Sequence, residues 1–232
     1  MFPVLVVFAA LAFGSCGKNA EEALALLTET EAAEIVENSV SDRSAGATLP
    51  TVDVTQLVES ALTNCGIPGD TTLQRSKTTG AVTYNYTFNL GWLVNCNNLN
   101  IPQSASVTVG GNGAFATARW TGADTASGSL TLTGLSPQAT AYVLAGNYTL
   151  QGSATGNYRK VDPTLSCNTA LTLTDLNIRK SDHKITGGTG TAVVTVSSAN
   201  GQTQTVNGAL LFNGDGTVTL TVNGHTHTFP IQ

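Results

Sequence analysis

The chain has 232 residues, 41% of them hydrophobic and only 11% charged, against about 25% charged in an average soluble protein. Thr, Ser, Asn and Gly replace the missing charge, which excludes a highly charged disordered chain and suits β structure with Gly- and Asn-rich turns. The formal net charge of −5 is unevenly spread: residues 16–42 hold seven acids and one base, Lys18, leaving eight acids and nine bases in residues 43–232. That balance gives no basic footprint for nucleic acid and no polybasic patch for anionic lipid. Arg159-Lys160 and Arg179-Lys180 with Lys184 read as solvated loops.

Residues Phe2 to Phe13 form an apolar run closed by the small pair Gly14-Ser15. It is too short to span a hydrocarbon core, and residues 1–15 read as a secretory signal peptide. Cys16 follows directly, and its placement resembles the lipobox of bacterial lipoproteins, in which that cysteine becomes the lipidated first residue of the mature protein. The resemblance implies export and attachment to the outer membrane through lipid on Cys16, with the periplasmic or cell-surface face left open. Each buried methylene of an acyl chain contributes about 0.8 kcal/mol, so several chains hold a protein to a bilayer almost permanently.

Residues 20–38 read as a short helix, with Asn19 as cap, Glu22 completing a capping box, and Leu24, Leu27 and Ile35 as a partial apolar stripe. This helix and a linker from Ser39 to Pro50 make residues 16–50 an acidic tether standing off the membrane. A second helix is expected with Asp53 as cap, Gln56 at its third position and Leu57, Val58, Ala61 and Leu62 as its apolar face, ended by Gly66 and Pro68. It opens a single β domain over residues 51–232.

From about residue 72 the period is two. Val82, Tyr84, Tyr86, Phe88, Leu90, Trp92 and Val94 alternate with small or polar residues, which describes a long strand with one buried and one wet face. Weaker versions recur at Ala105 to Val109, Ser129 to Thr133, Ala141 to Gln151, Thr189 to Ser197, Thr205 to Phe212 and Thr217 to Val222. Gly110-Gly111-Asn112-Gly113, Ser136-Pro137, Gly187-Gly188, Asn200-Gly201, Asn213-Gly214-Asp215-Gly216 and Asn223-Gly224 read as the turns between them. Connections this short force antiparallel pairing. The expected fold class is all-β: an antiparallel meander of roughly ten strands forming a sandwich, with a curled half-barrel or barrel as the alternative, and one or two short N-terminal helices.

With Cys16 assigned to lipid, Cys65, Cys96 and Cys167 allow three single pairings and leave one thiol over. The expected disulfide is Cys65–Cys96, stapling the end of the second helix to the end of the long strand. Cys167 is then a buried structural thiol. Cys65-Gly66, Tyr84-x-Tyr86, Trp92 and Cys96-Asn97-Asn98 ending at Pro102 also resemble a pattern in uncharacterised lipoproteins of Bacteroidota-type bacteria. The Asn223-Gly224 hairpin is similar too. That resemblance implies the outer-membrane location and the disulfide, and carries no assigned activity.

Chemistry is sparse. His225-x-His227 places two imidazoles on one strand face at a spacing that suits one zinc, with only His183 free to help. Edge histidines on a hairpin are the preferred reading, and a metal-dependent hydrolase centred on the pair is the alternative. If Asn223-Gly224 makes a two-residue turn, Val222 faces His225, Leu220 faces His227 and Val218 faces Phe229. Asn213-Gly214-Asp215-Gly216 looks like part of a calcium loop but lacks the later Glu, so it is read as a tight turn. Trp120, near a strand end, is the candidate exposed platform for a carbohydrate-binding module. No nucleophile elbow, zinc-protease motif or phosphate loop is present. The expectation is a non-enzymatic, lipid-anchored β domain with no cofactor. It would bind a glycan, a protein or a small apolar ligand, or serve envelope structure.

Overall fold

The computed structural model describes residues 26–157 and 164–231. The signal peptide, Cys16, the Asn19–Glu22 cap and Arg159-Lys160 lie outside the described residues. Ten strands follow two helices: α1 (Glu29–Val40), a 3₁₀ turn (Asp42–Ser44), α2 (Thr48–Ser60), then β1 (Pro68–Thr79), β2 (Val82–Cys96), β3 (Pro102–Ala116), β4 (Trp120–Thr133), β5 (Ala141–Gly156), β6 (Thr164–Arg179), β7 (Ile185–Ser198), β8 (Thr203–Phe212), β9 (Thr217–Val222) and β10 (His225–Pro230).

All ten strands belong to one antiparallel sheet in sequence order, with β1 and β10 as its two edges. The expected all-β meander is the fold. Each strand hydrogen-bonds the next, so every turn is local and consecutive turns fall at opposite ends of the sheet. Alternation sorts the side chains. Tyr84, Tyr86, Phe88, Leu90 and Val94 of β2 are buried on the inner face, as are Leu210 and Phe212 of β8 and Val218, Leu220 and Val222 of β9. The Asn223-Gly224 hairpin pairs His225 with Val222, His227 with Leu220 and Phe229 with Val218, the register expected from a two-residue turn. Both turn residues have positive φ, at 49° and 85°, which Asn and Gly tolerate.

The sheet curls around the helices. Helix α1 packs on β7 and β9, and its Glu34 carboxylate accepts from Trp120 Nε1 of β4 at 2.9 Å. Helix α2 packs on β2 and β3. The edges are tied to helices as well: Asp53 of α2 pairs with Arg75 of β1 at 2.8 Å, and Ser41 Oγ, just past α1, donates to Pro230 O of β10 at 3.0 Å.

Four expectations are corrected by the fold. Helix α1 is no tether within the described residues: Leu27, Ala32, Ala33, Ile35, Val36 and Val40 are all buried in the shared core. Its described start is capped by Thr28 and Glu31 in a capping box. The expected linker is a buried elbow. Ala47 N donates to Ser39 O at 2.8 Å, and a side chain at Gly46 would come within 2.6 Å of the Ser39 and Val40 backbone. Helix α2 begins five residues before Asp53, running through Pro50 in its first turn, where a missing N–H costs nothing. Finally, Gly110–Gly113 and Gly187-Gly188 lie inside β3 and β7 instead of forming turns.

Candidate functional site

Strands β2 to β5 and β7 to β9 contain a single charged residue, Asp124, and the parity of β4 points it inward. Register explains how a carboxylate is accommodated there. Tyr86 pairs with Gly113, Gly113 with Asp124, Asp124 with Gly152 and Gly152 with Cys167, so these five residues form one row across β2 to β6. Both neighbours of Asp124 in the row are glycines. On one side the Tyr86 ring lies across Gly113 and its hydroxyl donates to Asp124 Oδ1 at 2.9 Å. A Cβ at position 113 would sit 2.4 Å from Tyr86 Cγ and from Asn85 O. Gly113→Ala is therefore expected to cost about 1–3 kcal/mol by overpacking and to displace the tyrosine. An unchanged melting temperature would contradict this account of the slot.

On the other side Gly152 is just as tight, because a Cβ there would come 2.0 Å from Ala123 O and 2.7 Å from Asp124 Cβ. A cavity of about 30 Å³ adjoins it, lined by Asp124, Gly152, Leu150, Cys167 and Thr169 and facing Ile35, Asn38 and Ser39 of α1. That is room for one or two waters and no larger ligand. Trp120 and Phe115 also line it. Of the larger open depressions, those of about 260 and 390 Å³ lie at strand ends beside Arg119 and Lys184, and one of about 370 Å³ is lined by Gly113, Asp124 and Gly152.

Burial dominates the electrostatics. It raises Asp124 to about 6, against a smaller lowering from the Tyr86 hydrogen bond. Burial, and then the Asp124 charge, raise both the Tyr86 and Tyr148 phenols. Tyr148, two inward rows away and paired with Gly128, is 1% exposed, and its hydroxyl has no hydrogen-bond partner among the described residues. Burial also pushes the Cys167 thiol up to about 11, so it is protonated and a poor nucleophile near neutral pH. The site can take up and release a proton near neutral pH. It offers no activated nucleophile.

The residues singled out in the sequence lie elsewhere. His225 is exposed and His227 half-buried, with His227 Nε2 3.3 Å from Glu29 Oε1 of α1. His183 is held by Glu59 of α2 at 2.8 Å. Among the described residues no group of three or more His, Cys, Asp or Glu is placed to hold a metal. Trp120 is 1% exposed and forms no platform. Its indole is sealed under α1 through Glu34, which also pairs with Arg119 at 2.9 Å. Every described aromatic side chain is buried or half-buried, which leaves no exposed ring for sugar stacking there. Cys65 and Cys96 form the disulfide.

Asp124 was within reach of the sequence. Trp120, Gly122, Asp124, Ala126, Gly128, Leu130 and Leu132 hold one period-two register, and an acid in that series faces the core. The signal was diluted because nearly half of those positions are Gly or Ala. Comparison with protein-family models, with curated proteins and with solved structures finds no match for this chain.

Proposed function

We propose that the protein is a lipid-anchored, extracytoplasmic β domain with a non-enzymatic binding or structural role in the cell envelope. The observation that carries this reading is the filled interior. Helices α1 and α2 and the buried aromatics occupy the concave side, and the space beneath α1 is water-sized. Partners are therefore met on the outer surface.

That surface supports a passive role. Its strands carry threonine, serine and asparagine with little charge, and the side chains cross-link between strands. Thr195 and Thr205 lie 3.2 Å apart, Ser197 and Thr203 3.2 Å, and Thr219 and Thr228 3.3 Å. Such a nearly neutral, hydroxyl-rich face suits a protein or an uncharged envelope polymer better than a small apolar ligand. The Cys65–Cys96 disulfide supports a location outside the cytoplasm, where such bonds persist. The apolar run before Cys16 and the likeness to Bacteroidota-type lipoproteins support anchorage in the outer membrane.

The test is mass spectrometry of the mature N-terminus from fractionated cells, with Cys16→Ser as comparison. An acylated Cys16 in the membrane fraction, and release of the variant from it, is the expected result. An unmodified N-terminus on protein recovered from the cytosol overturns the proposal.

A further inference from the structure

We propose that Asp124 is an internal proton-binding site that governs how firmly α1 is closed over the sheet. The surroundings of the carboxyl are almost wholly uncharged. From β2 it meets the Tyr86 hydroxyl at 2.9 Å. From β5 the buried Tyr148 phenol feels its charge, and from β6 the Cys167 thiol does. Thr169 of β6, 2% exposed, shares the cavity wall. From β3 and β4 come Phe115 and Trp120, and from α1 come Ile35, Asn38 and Ser39. Burial and the Tyr86 hydrogen bond are what shift the carboxyl. The nearest ion pair is Glu34 with Arg119, beside Trp120.

Ionised, Asp124 is a half-buried charge that accepts from one phenol, and on its inner side it faces a cavity with room for one or two waters. Fuller hydration from the inner side requires the cavity to widen. Four of its walls are strands paired with neighbours on both sides. The remaining wall is α1, which is joined to the sheet by packing and a few side-chain bonds. The helix is the wall that gives way. Protonated, the carboxyl is neutral and gains an O–H. It can then donate as well as accept, without a charge to hydrate. Proton uptake thus closes α1, and proton release loosens it.

This device is independent of the lipid anchor and of any partner. It is tested by hydrogen exchange on the folded protein between pH 5 and 8, corrected for the intrinsic rate, with α2 amides as internal reference. In the wild type, protection of α1 amides such as Val36 and Val40 should fall relative to α2 by about tenfold or more as pH rises through the titration of Asp124. Asp124→Asn should abolish the dependence. Tyr86→Phe removes the hydrogen bond that favours the carboxylate, so it should move the transition to higher pH. The histidine pair of α1, Glu29 with His227, is separated by His227→Gln, which should leave the transition in place. A flat wild-type profile overturns the proposal. So does a dependence that survives in Asp124→Asn or disappears in His227→Gln.

Discussion

Loss of the Cys65–Cys96 disulfide is expected to lower stability by about 3–4 kcal/mol in the chain-entropy model, because the bridge closes a loop of 31 residues. For a domain of this size each kcal/mol moves the melting temperature by roughly 2–4 °C, so a drop on the order of 10 °C should follow. The bridge sits where the helical part of the chain enters the sheet. Gly66 N donates to Val94 O at 2.9 Å, and the β2–β3 turn folds back through Asn97 N to Ile101 O at 3.0 Å. Asn97 Oδ1 additionally accepts from Leu99 N and Ile101 N. Without the staple, these bonds and the packing of Ala61 and Leu62 hold the end of α2 to the first hairpins. Melting with and without reductant, and of the Cys65→Ser, Cys96→Ser double variant, measures the effect. Cys167 remains a thiol in every sample. Identical melts, with both cysteines mapped as oxidised before and reduced after treatment, would refute the expectation.

The second large effect runs in the opposite direction. Burial raises the Asp124 carboxyl in the fold to about 6 from an ordinary value of 3.8. The native state therefore keeps a proton that the unfolded chain has already released between those values. The contribution to stability is fully present below the unfolded value, declines as pH rises through the interval, and levels off above about 6. An interval of that width corresponds to a loss of about 3 kcal/mol. Asp124→Asn keeps the shape and lets the Tyr86 hydroxyl still donate to an oxygen, but carries no charge. It is expected to be more stable than the wild type at about pH 8 by up to about 3 kcal/mol, and indistinguishable from it at about pH 4. Denaturant melts of both proteins across that range give the difference curve. Parallel curves would show that the carboxyl is not strained by burial.

Much of this molecule is legible in the chain itself. The thirteen-residue alternation from Val82 is β2, and the hairpin at Asn223-Gly224 adopts the register that its two-residue turn dictates. Both rest on interactions between residues close in the chain, where period and turn type suffice. The disulfide is legible as the natural staple between a helix end and a strand end. Strand β6 escapes notice because Cys167 and Thr169 interrupt its apolar positions, and β1 because its face is only half-buried.

Glycine marks the boundary between the two kinds of knowledge. Gly110-Gly111-Asn112-Gly113 and Asn213-Gly214-Asp215-Gly216 look alike in composition. The second is the β8–β9 turn, with Thr217 N bonded to Asp215 Oδ1 at 2.9 Å. The first runs straight through β3 because Gly113 must pass beneath the ring of Tyr86. Nothing local separates a glycine that bends the chain from one that clears space for an aromatic on the next strand. The same holds for α1. Its apolar stripe is modest, and whether it stands in solvent or fills a curled sheet depends on a concave surface built from strands β4 to β10.

The sequence alone therefore determined the strand period and the antiparallel order, because each follows from neighbours along the chain or across one turn, and it favoured one staple among three pairings. The tertiary structure decided that the helices lie inside, that Trp120 is sealed and not displayed, and that one acid faces inward beneath α1. Those outcomes depend on which rows of distant strands come into line, and cross-strand alignment over five strands is written in no single stretch of sequence.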